Sequence, residues 1–270
     1  MLCFPNAKIN LGLRILGRRS DGYHSISSFM LPVGLKDALE ILPGGTGTEL
    51  QLAGLLPPGE SADNLVIKAW KLMQVEYGIG GADIHLLKGI PYGAGLGGGS
   101  SDAASVLIAV NELFELKLDT PTLLRLAARI GSDCPFFIQR SPCLASGRGE
   151  ELSLVKFPRK DIRIMILKPL QGISTAEAYS SIKSYSAHEF AVEDLLMPLE
   201  QWKEHFINDF EVWAATKVPQ IAGLITFLYE KGAFYAAMSG SGSSVFGLFT
   251  SDPPDTGLPP ACFHWRGSLV

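Results

Sequence analysis

The sequence predicts an α+β fold in two parts, and three observations predict it. Helical and strand-like patterns are mixed along 270 residues without a strict βαβα alternation. Two glycine-rich turns, at 91–99 and 239–243, each follow a strand-like run. The chain also exceeds an ordinary domain of roughly 150 residues by a wide margin. A division into 1–155 and 156–270 is expected, although no linker composition marks it.

The elements follow in order. Residues 8–15 alternate, with Ile9, Leu11, Leu13 and Ile15 on one face and Lys8, Asn10, Gly12 and Arg14 on the other. That is the pattern of a half-buried strand, and it sets Lys8 beside Asn10. Further strands are expected near 30–42 and 48–53. A helix is expected over 63–77, with Asp63 as N-cap and Gly78 as its stop. Ala82–Leu87 reads as a strand, Ser100 to about Phe114 as a helix, and Thr120-Pro121 as the opening of another that Gly131 ends. In the second part, Ile162–Leu167 reads as a strand. Helices are expected near 174–185, 201–214 and 219–231. Strands at 234–237 and 245–249 enclose the turn Ser239-Gly240-Ser241-Gly242-Ser243, and the proline-rich 252–260 reads as a surface loop.

Composition removes several classes of function. Apolar residues are 47% and charged residues 19%, too apolar for a disordered chain. The net charge is −4 and no Lys/Arg-rich run occurs, so no nucleic-acid partner is expected. No apolar run is long enough for a membrane span, and no membrane partner is expected. Cys3, Cys134, Cys143 and Cys262 form no C-x-x-C pair, and a reducing, cytoplasmic compartment is expected. His188-Glu189 lacks a second histidine at the zinc-motif spacing, and no protein-bound metal site is expected.

The segment Pro91, Tyr92, Gly93, Ala94, Gly95, Leu96, Gly97, Gly98, Gly99, Ser100, Ser101, Asp102 is the strongest chemical signal. Glycines let backbone N–H groups approach an anion. The helix that follows offers unpaired N–H groups and the positive end of its dipole. A tight strand-to-helix turn explains one or two glycines, but not five in seven positions. Phosphate is the expected ligand. No Lys-Ser/Thr follows the last glycine, so this is not a Walker A loop. Gly93-x-Gly95-x-x-Gly98 with Asp119 further on leaves a nicotinamide-dependent oxidoreductase open as a rival.

Three segments then combine: Pro5-Asn-Ala-Lys8-Ile-Asn10-Leu, the 91–105 loop, and Met238-Ser-Gly-Ser-Gly-Ser-Ser-Val-Phe. In that order they resemble the motifs of the small-molecule kinase superfamily that includes galactokinase, homoserine kinase and mevalonate kinase. Asp21-Gly-Tyr-His24, Gly131-Ser-Asp133-Cys-Pro-Phe, Gly172-Ile-Ser-Thr-Ala-Glu-Ala-Tyr179 and Asn208-Asp-Phe-Glu211 look most like its diphosphocytidyl-methylerythritol kinase branch. The proline-rich 252–260 departs from it, standing where a helix is usual.

The resemblance implies a two-domain fold, with an N-terminal ATP-binding domain, a C-terminal α/β-sandwich-like domain and the substrate between them. It implies transfer of the ATP γ-phosphoryl, with Mg²⁺, to the 2-hydroxyl of a cytidyl diphosphate-linked polyol in the non-mevalonate route to isoprenoid precursors. Another alcohol kinase of the superfamily is the alternative. On this reading Asp133 is aimed at the acceptor hydroxyl and Lys8 offsets charge on the transferred group. Asn10 binds substrate or ties two loops. Tyr23, His24 and Tyr179 suit a cytosine ring, and Gly240, Ser241 and Gly242 suit a phosphate or the polyol. Asn64 and Lys88 fall where the family flanks adenine and ribose. Asn208–Glu211 suits a structural role better than a catalytic one. A monomer or homodimer is expected.

Overall fold

The computed structural model describes residues 1–56, 64–159, 161–254, 256–260 and 262–270. It divides into two compact units. The first comprises 1–7, 35–92 and 97–140; the second comprises 8–34, 93–96 and 141–270. The chain passes between them more than once, and the glycine-rich loop itself is shared, since 93–96 group with the second unit.

Among the described residues, the first unit holds one four-stranded sheet and four helices. β1 (Leu2–Cys3), β4 (Ala38–Pro43), β6 (Ala82–Lys88) and β5 (Thr48–Gly54) lie in that order. β4 pairs with β6 antiparallel, and β5 with β6 parallel. α1 (Leu65–Tyr77), α2 (Gly98–Leu113), α3 (Thr120–Ile130) and α4 (Cys134–Gln139) complete the unit. α1 is capped by Asn64, whose side chain accepts from the Val66 N–H at 2.9 Å. Asp63, the cap expected from sequence, lies outside the described residues. Trp70 of α1 is fully buried and meets Phe114 edge-on at 6.2 Å. α4 was not expected; Pro135 in its first turn and the buried Phe136, Phe137 and Ile138 hold it.

The second unit holds two sheets. One runs β2 (Asn6–Arg18), β3 (His24–Lys36), β7 (Cys143–Ser146), β8 (Glu151–Leu154). The other runs β10 (Tyr235–Met238), β11 (Val245–Phe249), β9 (Arg163–Pro169), β12 (Cys262–Ser268), all antiparallel. Among the described residues four α-helices accompany them: α5 (Thr175–Ser180), α6 (Leu199–His205), α7 (Glu211–Lys217) and α8 (Gln220–Glu230). Met165, Leu167, Met238 and Val245 pack with Ala214, Ile221, Leu224 and Leu228 in its core.

β2 differs from the half-buried strand its alternation predicts. Every residue from Ala7 to Leu13 is buried, on both faces. The face bearing Lys8 and Asn10 is covered because its polar groups find internal partners. The single helix expected over 201–214 is two helices, α6 and α7. Asn208 breaks it, its side chain capturing the Phe210 N–H instead of leaving it to the helix.

Candidate active site

The first turn of α2 is the part of the first unit built to meet an anion. Gly97 caps the helix in a left-handed conformation (φ 71°), and no side chain fills the cap. No acidic residue stands in the first turn. The leading N–H groups have no intrahelical acceptor and lie at the positive end of the dipole. The Ser100 hydroxyl meets the Cys134 thiol, in α4, one residue after Asp133. Burial pushes that thiol up, the Ser100 hydrogen bond lowers it and the Asp133 charge raises it, leaving it at about 12. The start of α2 and the turn bearing Asp133 are therefore neighbours. Asn64 belongs to the same neighbourhood, because Leu65 beside it lies 3.7 Å from a Cβ built on Gly99.

Lys88 is buried under this turn. Its ammonium donates to Asp37 and, at 2.6 Å, to Asp102. Asp37 also accepts from the N–H groups of Gly89 and Ile90, at 2.6 and 2.8 Å. Asp102 is the poorly satisfied member, because its Oδ1 has no hydrogen-bond partner. Burial pushes its carboxyl up, Lys88 pulls it down and the Asp37 charge pushes it up again, leaving it at about 8. Two carboxylates on one ammonium bind a proton near neutrality for this reason. Sequence spacing gave no sign of the triad, since its members come from three separate segments.

The second unit gathers the other expected residues. The buried Lys8 ammonium donates to Asn10 Oδ1 and, at 3.2 Å, to the Gly95 carbonyl. Asn10 Nδ2 donates to Ser28 Oγ at 2.8 Å, and its backbone N–H donates to Ser239 Oγ at 3.2 Å. Ser239 Oγ in turn donates to the Gly95 carbonyl at 2.9 Å. The two glycine-rich turns thus close on each other through backbone. A Cβ on Gly95 would stand 1.9 Å from the Ser239 carbonyl oxygen, at a φ of 71°. Only glycine fits there. Gly240 and Gly242 also have positive φ, and Ser241 Oγ lies 3.0 Å from Thr175 Oγ1.

The rings of His24 and Tyr179 stack at 5.1 Å with 22° between planes. That is a direct stack, leaving no space for a third ring between them. The half-exposed Tyr185, which sequence reasoning passed over, lies 6.3 Å from His24. Burial, with Arg18 nearby, lowers the His24 pKa and favours the neutral imidazole, which offers one donor and one acceptor. Tyr23 is more than half exposed, and the Arg148 guanidinium lies 4.8 Å over its ring. Glu150 holds Arg148 at 2.9 Å. Arg148 carried no motif signal; folding of β7 and β8 brings it to Tyr23.

The oxidoreductase alternative fails on the fold. α2 leads into α3 and α4 rather than into a parallel strand. Asp119, which a ribose-binding reading needs, caps α3 by accepting from the Thr122 N–H at 2.9 Å.

This fold and site define a GHMP kinase. The family described as GHMP kinases N terminal domain matches residues 64–140, and GHMP kinases C terminal matches 199–258. An L. major mevalonate kinase structure superposes with a TM-score of 0.69 at 16% identity, covering 98% of this chain and 94% of its own, and shares the fold. Two comparisons are narrower. The 4-diphosphocytidyl-2-C-methyl-D-erythritol kinase of Parabacteroides distasonis is 44% identical over the full length of both chains. A crystal structure of 4-(cytidine 5'-diphospho)-2C-methyl-D-erythritol kinase superposes with a TM-score of 0.82 at 31% identity, covering 100% of this chain and 99% of its own. The chain belongs to the 4-diphosphocytidyl-2-C-methyl-D-erythritol kinase family.

Proposed function

We propose that this enzyme transfers the γ-phosphoryl group of ATP to the 2-hydroxyl of 4-diphosphocytidyl-2-C-methyl-D-erythritol, giving the 2-phosphate in non-mevalonate isoprenoid precursor synthesis. The observation that carries the reading is the junction of α2 and α4. It puts an anion-ready helix start beside a carboxylate, through the Ser100–Cys134 contact. Positioning and charge stabilisation supply most of the catalysis of phosphoryl transfer.

The 91–102 segment receives the ATP phosphates, and Asn64 lies toward the nucleoside. Lys88 supports the loop from beneath through Asp102 and Asp37. Asp133 accepts the proton of the acceptor hydroxyl, and the Lys8 ammonium offsets charge on the group in transfer. Asn10 holds Lys8 in place. The cytosine base stacks on the outer face of the His24–Tyr179 pair, with Tyr23 beside it and His24 reading the base edge. The Gly240–Gly242 turn takes the phosphate or polyol end. Were Mg²⁺ to arrive bound to ATP, the Ser100 hydroxyl and the Asp133 carboxylate are the oxygen donors that could complete its coordination, and its charge would offset that of the phosphates. With four free cysteines the chain suits a reducing cytoplasm.

Single-turnover product formation from ATP and the cytidyl substrate tests the reading, with mevalonate and homoserine as controls. Product from the cytidyl substrate alone is expected. Equal product from a control alcohol, or binding of NAD in place of ATP, overturns it.

A further inference from the structure

Four consecutive residues, three between α6 and α7 and the first of α7, reach several parts of the second unit. Asn208 is buried and spends its whole amide internally. Its Nδ2 donates to the Met238 carbonyl at 2.8 Å and the Gly240 carbonyl at 2.9 Å, and its Oδ1 accepts from the Phe210 N–H at 3.0 Å. Asp209 Oδ2 accepts from the Ile15 N–H at 2.7 Å and the Ser186 hydroxyl at 2.9 Å, the latter beside Tyr185. The Phe210 ring meets Tyr179 edge-on at 4.9 Å. Glu211 accepts from the Met238 N–H at 2.8 Å.

A helix-to-helix junction needs none of this to be stable; apolar packing and a turn are enough. Here Met238 is gripped at both its N–H and its carbonyl, one residue before the Ser239–Ser243 turn. A planar trans peptide sets C=O and N–H on opposite sides. With the Gly240 carbonyl drawn to Asn208, the Ser241 N–H is directed to the other side of the turn. Phe210 meanwhile packs perpendicular to Tyr179, whose ring also stacks with His24. One short segment therefore sets both ends of the acceptor-binding groups.

We propose that Asn208 and Phe210 are positioning residues for the acceptor, Asn208 acting on its reacting polyol end through the Gly240 turn and Phe210 on its base end through Tyr179. The inference rests on the acceptor reading given above, and it separates the two ends of one ligand.

The test uses the full chain with three ligands: ATP, the cytidyl substrate, and CDP, which has the base and diphosphate without the polyol. Asn208→Ala is expected to lower kcat by ~10-fold or more, as misplacement of a reacting group does, with CDP affinity and the KM for ATP as in wild type. Phe210→Leu is expected to weaken CDP by ~5-fold or more through loss of base stacking, with kcat little changed. Asn208→Asp keeps the acceptor for the Phe210 N–H and loses both donors, so it should follow Asn208→Ala. Melting curves establish that each variant folds. If the folded variants lose only thermal stability, keeping wild-type kcat and CDP affinity, the segment is a plain junction and the inference falls. It falls equally if both variants shift kcat and CDP affinity in the same proportion. Should Asn208→Ala fail to fold, Phe210→Leu decides: unchanged CDP affinity overturns the proposal. A wild-type enzyme that neither binds CDP nor turns over the cytidyl substrate instead brings down the acceptor reading itself.

Discussion

Asp133 and Asp102 are carboxylates of one structural unit, yet they call for opposite tests. Asp133→Asn keeps the size of the side chain and removes its basicity. Single-turnover rates should fall by about 10²–10⁴-fold with ATP affinity unchanged, and near-wild-type rates in the folded variant would remove Asp133 from the chemistry. Asp102 is a matter of stability. Its pKa in the folded chain, about 8, lies above the ordinary value of 3.8. Between those values the folded chain holds a proton that the unfolded chain has released. The contribution of this group is therefore full below about pH 4 and is lost as the pH rises through 8. Asp102→Asn can still accept from Lys88 but cannot titrate. Melting temperatures from pH 5 to 9 should fall less steeply in the variant than in wild type, and parallel curves would show that Asp102 is ionised throughout. Lys8 and Asn10 were legible in sequence because alternation alone pairs them. The Asp37–Lys88–Asp102 triad was not, because proximity in space leaves no trace in spacing.

At the scale of elements, the glycines at the start of α2 divide by what surrounds them. A Cβ on Gly98 would lie 2.9 Å from Ile90 Cγ2 and 3.3 Å from Lys88 Nζ, whereas one on Gly99 meets only Leu65 at an ordinary 3.7 Å. Gly98→Ala should cost ~1–3 kcal/mol by overpacking. Gly99→Ala should be neutral or stabilising by ~0.5–1 kcal/mol, as Ala replaces Gly within a helix. Thermal melts separate the two, and the KM for ATP of Gly99→Ala then reports how closely phosphate approaches that backbone. Long elements such as α1, α2 and α8 were legible from periodicity and stop signals. β7 and β8 were not, being four residues each with little alternation to read. α6 and α7 merged in the reading because the apolar period runs on through Asn208, and only a side-chain hydrogen bond shows the break.

For the molecule as a whole, an aromatic cluster in the second unit carries much of the packing. Trp202 is fully buried, with Phe206, Phe234 and Tyr235 around it at 4.9, 5.8 and 6.1 Å. Trp202→Ala should cost ~3–5 kcal/mol. At about 2–4 °C per kcal/mol for a chain of this class, differential scanning calorimetry should show the loss plainly, and an unchanged melting temperature would contradict the burial. The α+β class and the kinase motifs could be read from the sequence, but the interleaving of the two units could not, because it is a property of contacts and no composition shift announces it. It bears on how the chain is made. Ser28 of β3 pairs with Ala145 of β7, so the β2-β3-β7-β8 sheet cannot close until that distant segment has left the ribosome. At about 5–20 residues per second, β3 waits on the order of ten seconds without its neighbour. During that interval an apolar strand edge is open to pairing with another nascent chain, so yield during synthesis should depend on holding chaperones more than the stability of the finished enzyme suggests.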